Sequence, residues 1–337
     1  MDVSKLGVNF EREIREQPQV WERLAASDKA AKLARVLDGD IVLVGSGSSL
    51  FVAELGALAL RRRSMKAHAL AASEARLDHR AYEDQIVIAI SQSGRSTDLF
   101  EALDALAPRH LIALTNSLDS PLAARAQLAI DIGAGAELAV PASKSVSATA
   151  AILLRAASLL GGVTRRGARA LEETARAIRA WLNGRKIKSL IEAARDIARH
   201  QSVVVLGSDY GVPIANETAL KLKEASYLHA EGFAAGEFRH GSIAMVDAAS
   251  VVIGFVDHDA LPVIAKPVRE LRALKTTCYT IGRPAIDDLP TLGPTVEDPY
   301  NTLAWLVTAQ MLALHAGRAR NIDSDAPRGL TKALVEE

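Results

Sequence analysis

Seven consecutive residues, Ser91-Gln92-Ser93-Gly94-Arg95-Ser96-Thr97, offer four side-chain hydroxyls and an amide around one glycine. Neutral donors of this kind, set beside backbone N–H groups at the positive end of a helix, suit a dianionic phosphate without any lysine. Serine and threonine are equally good helix caps, so composition alone leaves both readings open. A second turn, Gly45-Ser46-Gly47-Ser48-Ser49, begins like a dinucleotide fingerprint. Leu50 then occupies the place of the third glycine, where its side chain would hold helix and strand apart. Glu74 is the one further feature in favour of a nicotinamide cofactor, and the chain has no Gly-x-x-x-x-Gly-Lys-Ser/Thr loop for a nucleoside triphosphate.

Groups able to move protons gather further along. Glu217, Lys221 and Glu224 share one helix face by i, i+4 and i, i+3 spacing, a pattern that also describes ordinary surface ion pairs worth a few tenths of a kcal/mol. The stretch Ala225 to Gly241 adds His229, Glu231, Glu237 and His240, and its glycines make it too irregular for one helix, which predicts titratable groups on a loop. None of the eight histidines belongs to a His-Glu-x-x-His motif, and His229-Ala-Glu231 lacks the Pro-Cys-x-x-Cys partner of zinc deaminases. With no metal or organic cofactor expected, a carboxylate base, an imidazole and an imine-forming lysine suit aldose–ketose chemistry.

Strands alternating with helices must position these groups. Ile41 to Val44, Ile86 to Ile90, Leu111 to Leu114 and Leu128 to Ile132 read as short buried strands. Helices are predicted at Leu50 to Leu60, Leu99 to Ala107 and Leu122 to Ala126, which implies a parallel sheet covered on both faces. Two more helices, Ala148 to Leu160 and Ala168 to Leu182, flank a turn at Gly161 to Gly167, and Arg165, Arg166, Arg169, Arg176 and Arg179 read as a solvated face. The plan then restarts, with strands at Val203 to Leu206 and Val251 to Phe255 and a helix at Ala215 to Tyr227, as in a tandem duplication. Where the first half has Ser91 to Thr97, the second has Asp257-His258-Asp259, so one half keeps the ligand turn.

The 337 residues suffice for two domains, and 49% apolar with 24% charged residues describes a folded globular protein. Forty basic and forty acidic side chains cancel, leaving no field to attract nucleic acid or an anionic membrane. Cys278 is the single cysteine, so no internal disulfide forms and a reducing, cytoplasmic setting is expected. The charged residues between Glu11 and Glu16 interrupt any secretory signal, and no apolar run approaches the length of a membrane span.

The motifs together resemble those of the double sugar isomerase (SIS) domain family, which includes the isomerase half of glucosamine-6-phosphate synthase and the synthase-like glucosamine-6-phosphate deaminases. They are Glu13-Ile14-Arg15-Glu16-Gln17-Pro18, Gly47-Ser48-Ser49, Ala72-Ser73-Glu74, Ser91-Gln92-Ser93-Gly94, the Glu217 to Gly241 stretch and Asp325-Ala326-Pro327-Arg328-Gly329-Leu330-Thr331-Lys332. The resemblance implies an α/β fold of two tandem flavodoxin-like SIS domains, each a mainly parallel sheet flanked by helices. It divides the chain into an N-terminal helical segment 1–35, a first SIS domain 36–165, a linking helix 166–189, a second SIS domain 190–325 and a tail 326–337. Phosphate is expected at Ser91, Gln92, Ser93 and Ser96, with Ser49 near the sugar. Glu224 would carry a proton between C1 and C2, His240 would open the ring, and Lys332 stands where the synthase forms an imine, with Lys221 close by. A homodimer with a shared site, in which the neighbouring subunit donates the histidine, is also implied.

Four departures shape the expected activity. The synthase's glutaminase domain has no counterpart in residues 1–35, which predicts a chain that does not release ammonia from glutamine. Ala142 in Val140-Pro141-Ala142-Ser143-Lys144 replaces a ligand-binding serine, and Ser96 replaces the threonine of the phosphate turn. After Lys332 the synthase's serine gives way to Ala333. The expected function is glucosamine-6-phosphate deaminase, with an isomerase or deglycase for another phosphorylated amino or ketose sugar as alternative. A non-catalytic sugar-phosphate sensor would need neither Glu224, His240 nor Lys332, and residues 1–35 leave no room for a DNA-binding helix-turn-helix ahead of the sugar domain.

Overall fold

A computed structural model describes residues 2–77, 79–163 and 165–332. Residues 333–337 of the expected tail lie outside the described residues. The chain forms two compact units. The first contains Gln19–Glu137 and Lys144–Glu173; the second contains the residues up to Pro18, Leu138–Ser143 and Thr174–Lys332.

The sheet of the first unit consists of β1 (Ile41–Gly45), β2 (Ala67–Ala71), β3 (Ile86–Ile90), β4 (His110–Thr115) and β5 (Leu128–Asp131). All neighbours are parallel and the order is β2-β1-β3-β4-β5. In the second unit β6 (Ser202–Gly207), β7 (His229–Ala234), β8 (Ser250–Val256), β9 (Thr277–Gly282) and β10 (Thr291–Leu292) follow the same plan, in the order β7-β6-β8-β9-β10. Chain order therefore reverses between the first and third strand of each sheet, the switch point at which open parallel sheets bind ligands. The four β-branched runs of β1, β3, β6 and β8 are buried throughout, because helices cover both faces.

Helices follow the strands at Ser48–Arg61, Thr97–Leu106 and Pro121–Arg125 in the first unit and Gly211–Ser226 in the second, close to the expected bounds. The helix expected from Ala148 begins earlier, at Lys144, and the one expected from Ala168 begins at Arg165, taking over part of the predicted turn. A clearer difference lies at Ala225 to Gly241. The expected loop is an edge strand, β7, followed by a short helical turn, Ala235–Phe238. Among the described residues β7 pairs only with β6, so it needs no continuous apolar run, and its Gly232 is a packing residue: a Cβ there would lie 2.5 Å from Asn216 Oδ1 on the helix above.

One further helix lines the second unit's interior. Asn301–Ala319 is apolar on nearly every side and lies against Gly211–Ser226, and a Cβ on Gly317 would come within 2.2 Å of the Ala225 carbonyl. Among the described residues no helix is long and apolar enough to cross a membrane.

Candidate functional site

In the first unit both serine turns leave the carboxyl ends of adjacent strands. Val44 of β1 is in register with Ala89 of β3. The first turn is tight: a Cβ on Gly45 would lie 2.7 Å from the Ser49 main chain, and Gly47, with φ of 55°, precedes the helix that opens at Ser48. Ser49, partly buried, sits in that helix's first turn.

The second turn is pinned from within and from β4. Ser91 Oγ accepts the Gly94 N–H at 3.1 Å, and Ser93 Oγ accepts the Arg95 N–H at 3.3 Å. The Asn116 N–H and the Thr115 hydroxyl both donate to the Gln92 carbonyl, at 3.1 and 3.3 Å. Gly94 has φ of +65° and lies so near Ser120 that a Cβ would be 2.2 Å from its Oγ, which reserves the position for glycine. Ser96 stands at the N-cap of Thr97–Leu106 and makes no side-chain capping bond. Ser91, Gln92 and Ser93 thus lie in the turn that leads into the helix, and Ser96 at its N-cap keeps its hydroxyl uncommitted to the helix.

In the second unit the helix Gly211–Ser226 carries Glu217, Lys221 and Glu224. Surface exposure was one reading of this trio, and the structure excludes it: Lys221 is 1% exposed, Glu217 2% and Glu224 19%. Lys221 Nζ forms a short hydrogen bond to the Glu224 carboxylate and lies 3.6 Å from Glu217 Oε1. A buried ammonium is stable only with anionic partners, and here they come from the preceding and following turns of its own helix. The outcome is a carboxylate aimed by a buried cation yet still reachable.

The segment that ends at Lys332 is tied down along its length. Asp325 accepts the Asn9 and Phe10 N–H groups, both at 2.8 Å, at the start of the helix Val8–Ala26. The Arg328 N–H donates to the Tyr227 hydroxyl at 2.6 Å, and its guanidinium lies 4.4 Å over the Tyr227 ring. Lys332 Nζ donates to the Ala139 carbonyl at 2.6 Å. The buried Glu13 accepts the N–H groups of Leu138 and Ala139, so one peptide segment links it to Lys332. Nothing in residue spacing signals these roles of Glu13, Asp325 and Ala139, since they arise from partners far apart in the chain.

His240 is exposed and lines a cavity of about 280 Å³ with Arg239, Pro262 and Lys266. Its N–H bonds the Glu237 carbonyl at 2.9 Å. His229 and Glu231 stand 3.7 Å apart on the exposed face of β7. Cys278 is buried, and burial pushes its thiol up to about 11, so it stays a neutral thiol rather than a nucleophile.

Comparison with known proteins adds the family. The SIS domain model matches residues 38–159 and 196–291, the regions of the two sheets. The chain belongs to the SIS-domain family. This SIS protein is 31% identical over 346 aligned residues to the glutamine–fructose-6-phosphate aminotransferase (isomerizing) of Pyrobaculum aerophilum, a match covering 97% of this chain and 57% of that protein. It spans about half the length of the curated relatives it matches. Its fold is shared with the C-terminal domain of glucosamine-fructose-6-phosphate aminotransferase from Francisella tularensis, with a TM-score of 0.85 at 22% identity and coverage of 96% of this chain and 99% of that one. Glucosamine-6-phosphate deaminase from Thermotoga maritima is also similar in fold, with a TM-score of 0.78 at 22% identity and coverage of 96% and 98%.

Proposed function

We propose that this SIS protein is a sugar-phosphate enzyme of aldose–ketose type, and specifically a glucosamine-6-phosphate deaminase. The observation that carries the reading is Glu224, a reachable carboxylate oriented by the buried Lys221. A protein that merely sensed a sugar phosphate would have no use for an ammonium buried to hold a carboxylate in one direction. The serine turn of the first unit supplies the complementary feature, a cradle of neutral donors at a helix N-terminus for the phosphate ester.

In this scheme Ser91, Gln92, Ser93 and Ser96 hold the phosphate and Ser49 contacts the sugar. His240 protonates the ring oxygen as the pyranose opens. Glu224 removes the proton from C2 and returns it to C1, which turns the open-chain 2-amino aldehyde into a C2 imine. Water adds to that imine, and ammonia leaves with fructose 6-phosphate as the other product, so atoms balance with no oxidant or reductant. Lys221 keeps Glu224 in place, and Lys332 would leave the Ala139 carbonyl to reach a ketose carbonyl. The exposure of His240 accords with its serving a site shared in a homodimer.

Ala142, at a position where the related synthase has a ligand-binding serine, favours a second reading, an isomerase for another phosphorylated amino or ketose sugar. Incubation with glucosamine 6-phosphate distinguishes the two. Ammonia and fructose 6-phosphate should appear in equal amounts, and Glu224→Gln should slow the release of both by about 10²–10⁴-fold. Interconversion of hexose phosphates without ammonia would establish the isomerase, and a Glu224→Gln protein as active as the wild type would end both readings.

A further inference from the structure

Corresponding cavities open in the two units, and their charges differ. In the first unit a cavity of about 810 Å³ lies where β4 and β5 end, beside the junction of the helices Val8–Ala26 and Lys29–Val36. In the second, a cavity of about 650 Å³ lies where β9 and β10 end, beside the junction of the helices Arg165–Leu182 and Ile187–Ile197. Both stand at carboxyl ends of parallel strands, and both have the size of small-molecule sites.

The cations of the first cavity are occupied. Lys29 Nζ donates to the Asp131 main-chain carbonyl and, at 2.9 Å, to its carboxylate, while Arg23 donates to the Gly133 carbonyl at 3.3 Å. The second cavity is lined by Lys186 and Arg283 and by no carboxylate. Among the described residues neither of these side chains has an ion pair or hydrogen bond. Asp287 and Asp288, the next acidic residues after Arg283 in sequence, are committed elsewhere: Asp287 accepts from Nε and Nη2 of Arg269, at 2.9 and 2.7 Å, and Asp288 is bound by Arg272. One wall is apolar, with Trp181 beside Ala177, Ala180 and Pro294, and Thr295 adds a hydroxyl.

We propose that this second-unit cavity is a binding site for a small phosphate monoester, with Lys186 and Arg283 holding the phosphate and the attached ring resting against the Trp181 wall. Two cations with no internal anion match a dianion, and an aromatic edge beside alanine and proline matches the less polar face of a sugar or nucleobase. The site uses none of the residues assigned to the serine turn, and it stands whether or not the deaminase reading holds.

Tryptophan emission reads the site directly, with Trp181→Phe identifying the signal among the three tryptophans. Fructose 6-phosphate and AMP serve as probes, with inorganic phosphate as the ringless control. At least one ester should change Trp181 emission saturably and bind more tightly than phosphate, and whichever binds better identifies the ring as sugar or base. Lys186→Ala with Arg283→Ala, both exposed and expected to leave the fold intact by circular dichroism, should weaken binding at least about tenfold. Ser91→Ala with Ser96→Ala should leave this signal unchanged. Absence of a saturable signal from either ester, equal affinity for inorganic phosphate, or unchanged affinity in the Lys186/Arg283 variant would overturn the proposal.

Discussion

The turn after β3 and the turn after β8 occupy the same place in two sheets of the same strand order, yet one carries neutral hydroxyls and the other carboxylates. After β3, serine oxygens accept N–H groups within the turn and Ser96 leaves the helix start uncapped by its side chain. After β8, Asp257 Oδ1 accepts the Ala260 N–H at 2.7 Å, which places a carboxylate in the turn just before the helix Leu261–Ala273. Asp259 stands two residues further on, and a dianion approaching there would meet like charge. The duplicated fold offers two equivalent positions that differ in the charge of a few side chains. The two strand-end cavities teach the same lesson in reverse, since there the second unit has the unpaired cations.

The proposed function puts ligand grip on the serine turn and chemistry on the helix Gly211–Ser226, and the largest expected effect tests that division. Glu224→Gln should lower turnover by about 10²–10⁴-fold while leaving hexose-phosphate binding, measured by calorimetry, nearly unchanged. Parallel loss of binding would show that the two roles are not separate. Next in size, Ser96→Asp gives the first turn the charge of the second. Affinity for fructose 6-phosphate should fall by about tenfold to a hundredfold, and by less for Ser96→Ala, because the aspartate adds repulsion to a lost hydrogen bond.

A smaller effect belongs to the second unit. Burial, reinforced by Arg318, Arg15 and Arg195 and opposed by Glu11, depresses His315 to about 4. Between that value and its ordinary value near 6.5 the unfolded chain binds the proton and the folded chain does not, so stability falls as pH drops through this window. The loss should be about 1 kcal/mol between pH 7 and pH 5.5, read by urea unfolding, and His315→Gln should remove that part of the slope. Smallest is Asp257→Ala, which takes away the carboxylate that accepts the Ala260 N–H. It should cost about 1 kcal/mol of stability, whereas Asp257→Ser should cost less because a serine hydroxyl can accept the same N–H; equal losses would show that this hydrogen bond does not hold the turn.

Legibility of the fold followed burial on both faces. The runs Ile41 to Val44, Ile86 to Ile90, Val203 to Leu206 and Val251 to Phe255 are central strands, and a strand covered twice must be apolar without interruption. β7 escaped the same reading because an edge strand covered by one helix tolerates His229, Glu231 and Gly232. The serine turn was readable because hydroxyls clustered about one glycine are a local feature. The state of Lys221 was not readable, since i, i+4 spacing is identical on a solvated helix and on a buried one.

Amino-acid order by itself determined the repeated strand–turn–helix plan and the chemical character of each turn, because periodicity, glycine and hydroxyl content act over a few neighbouring residues. Tertiary structure decided which charges are buried and which peptide meets which side chain. Lys221 became a buried strut, Glu13 and Lys332 met at the Ala139 segment, and Asp325 capped a helix that begins more than three hundred residues earlier. Desolvation and such distant hydrogen bonds depend on how helices pack, and no short window of sequence contains that information.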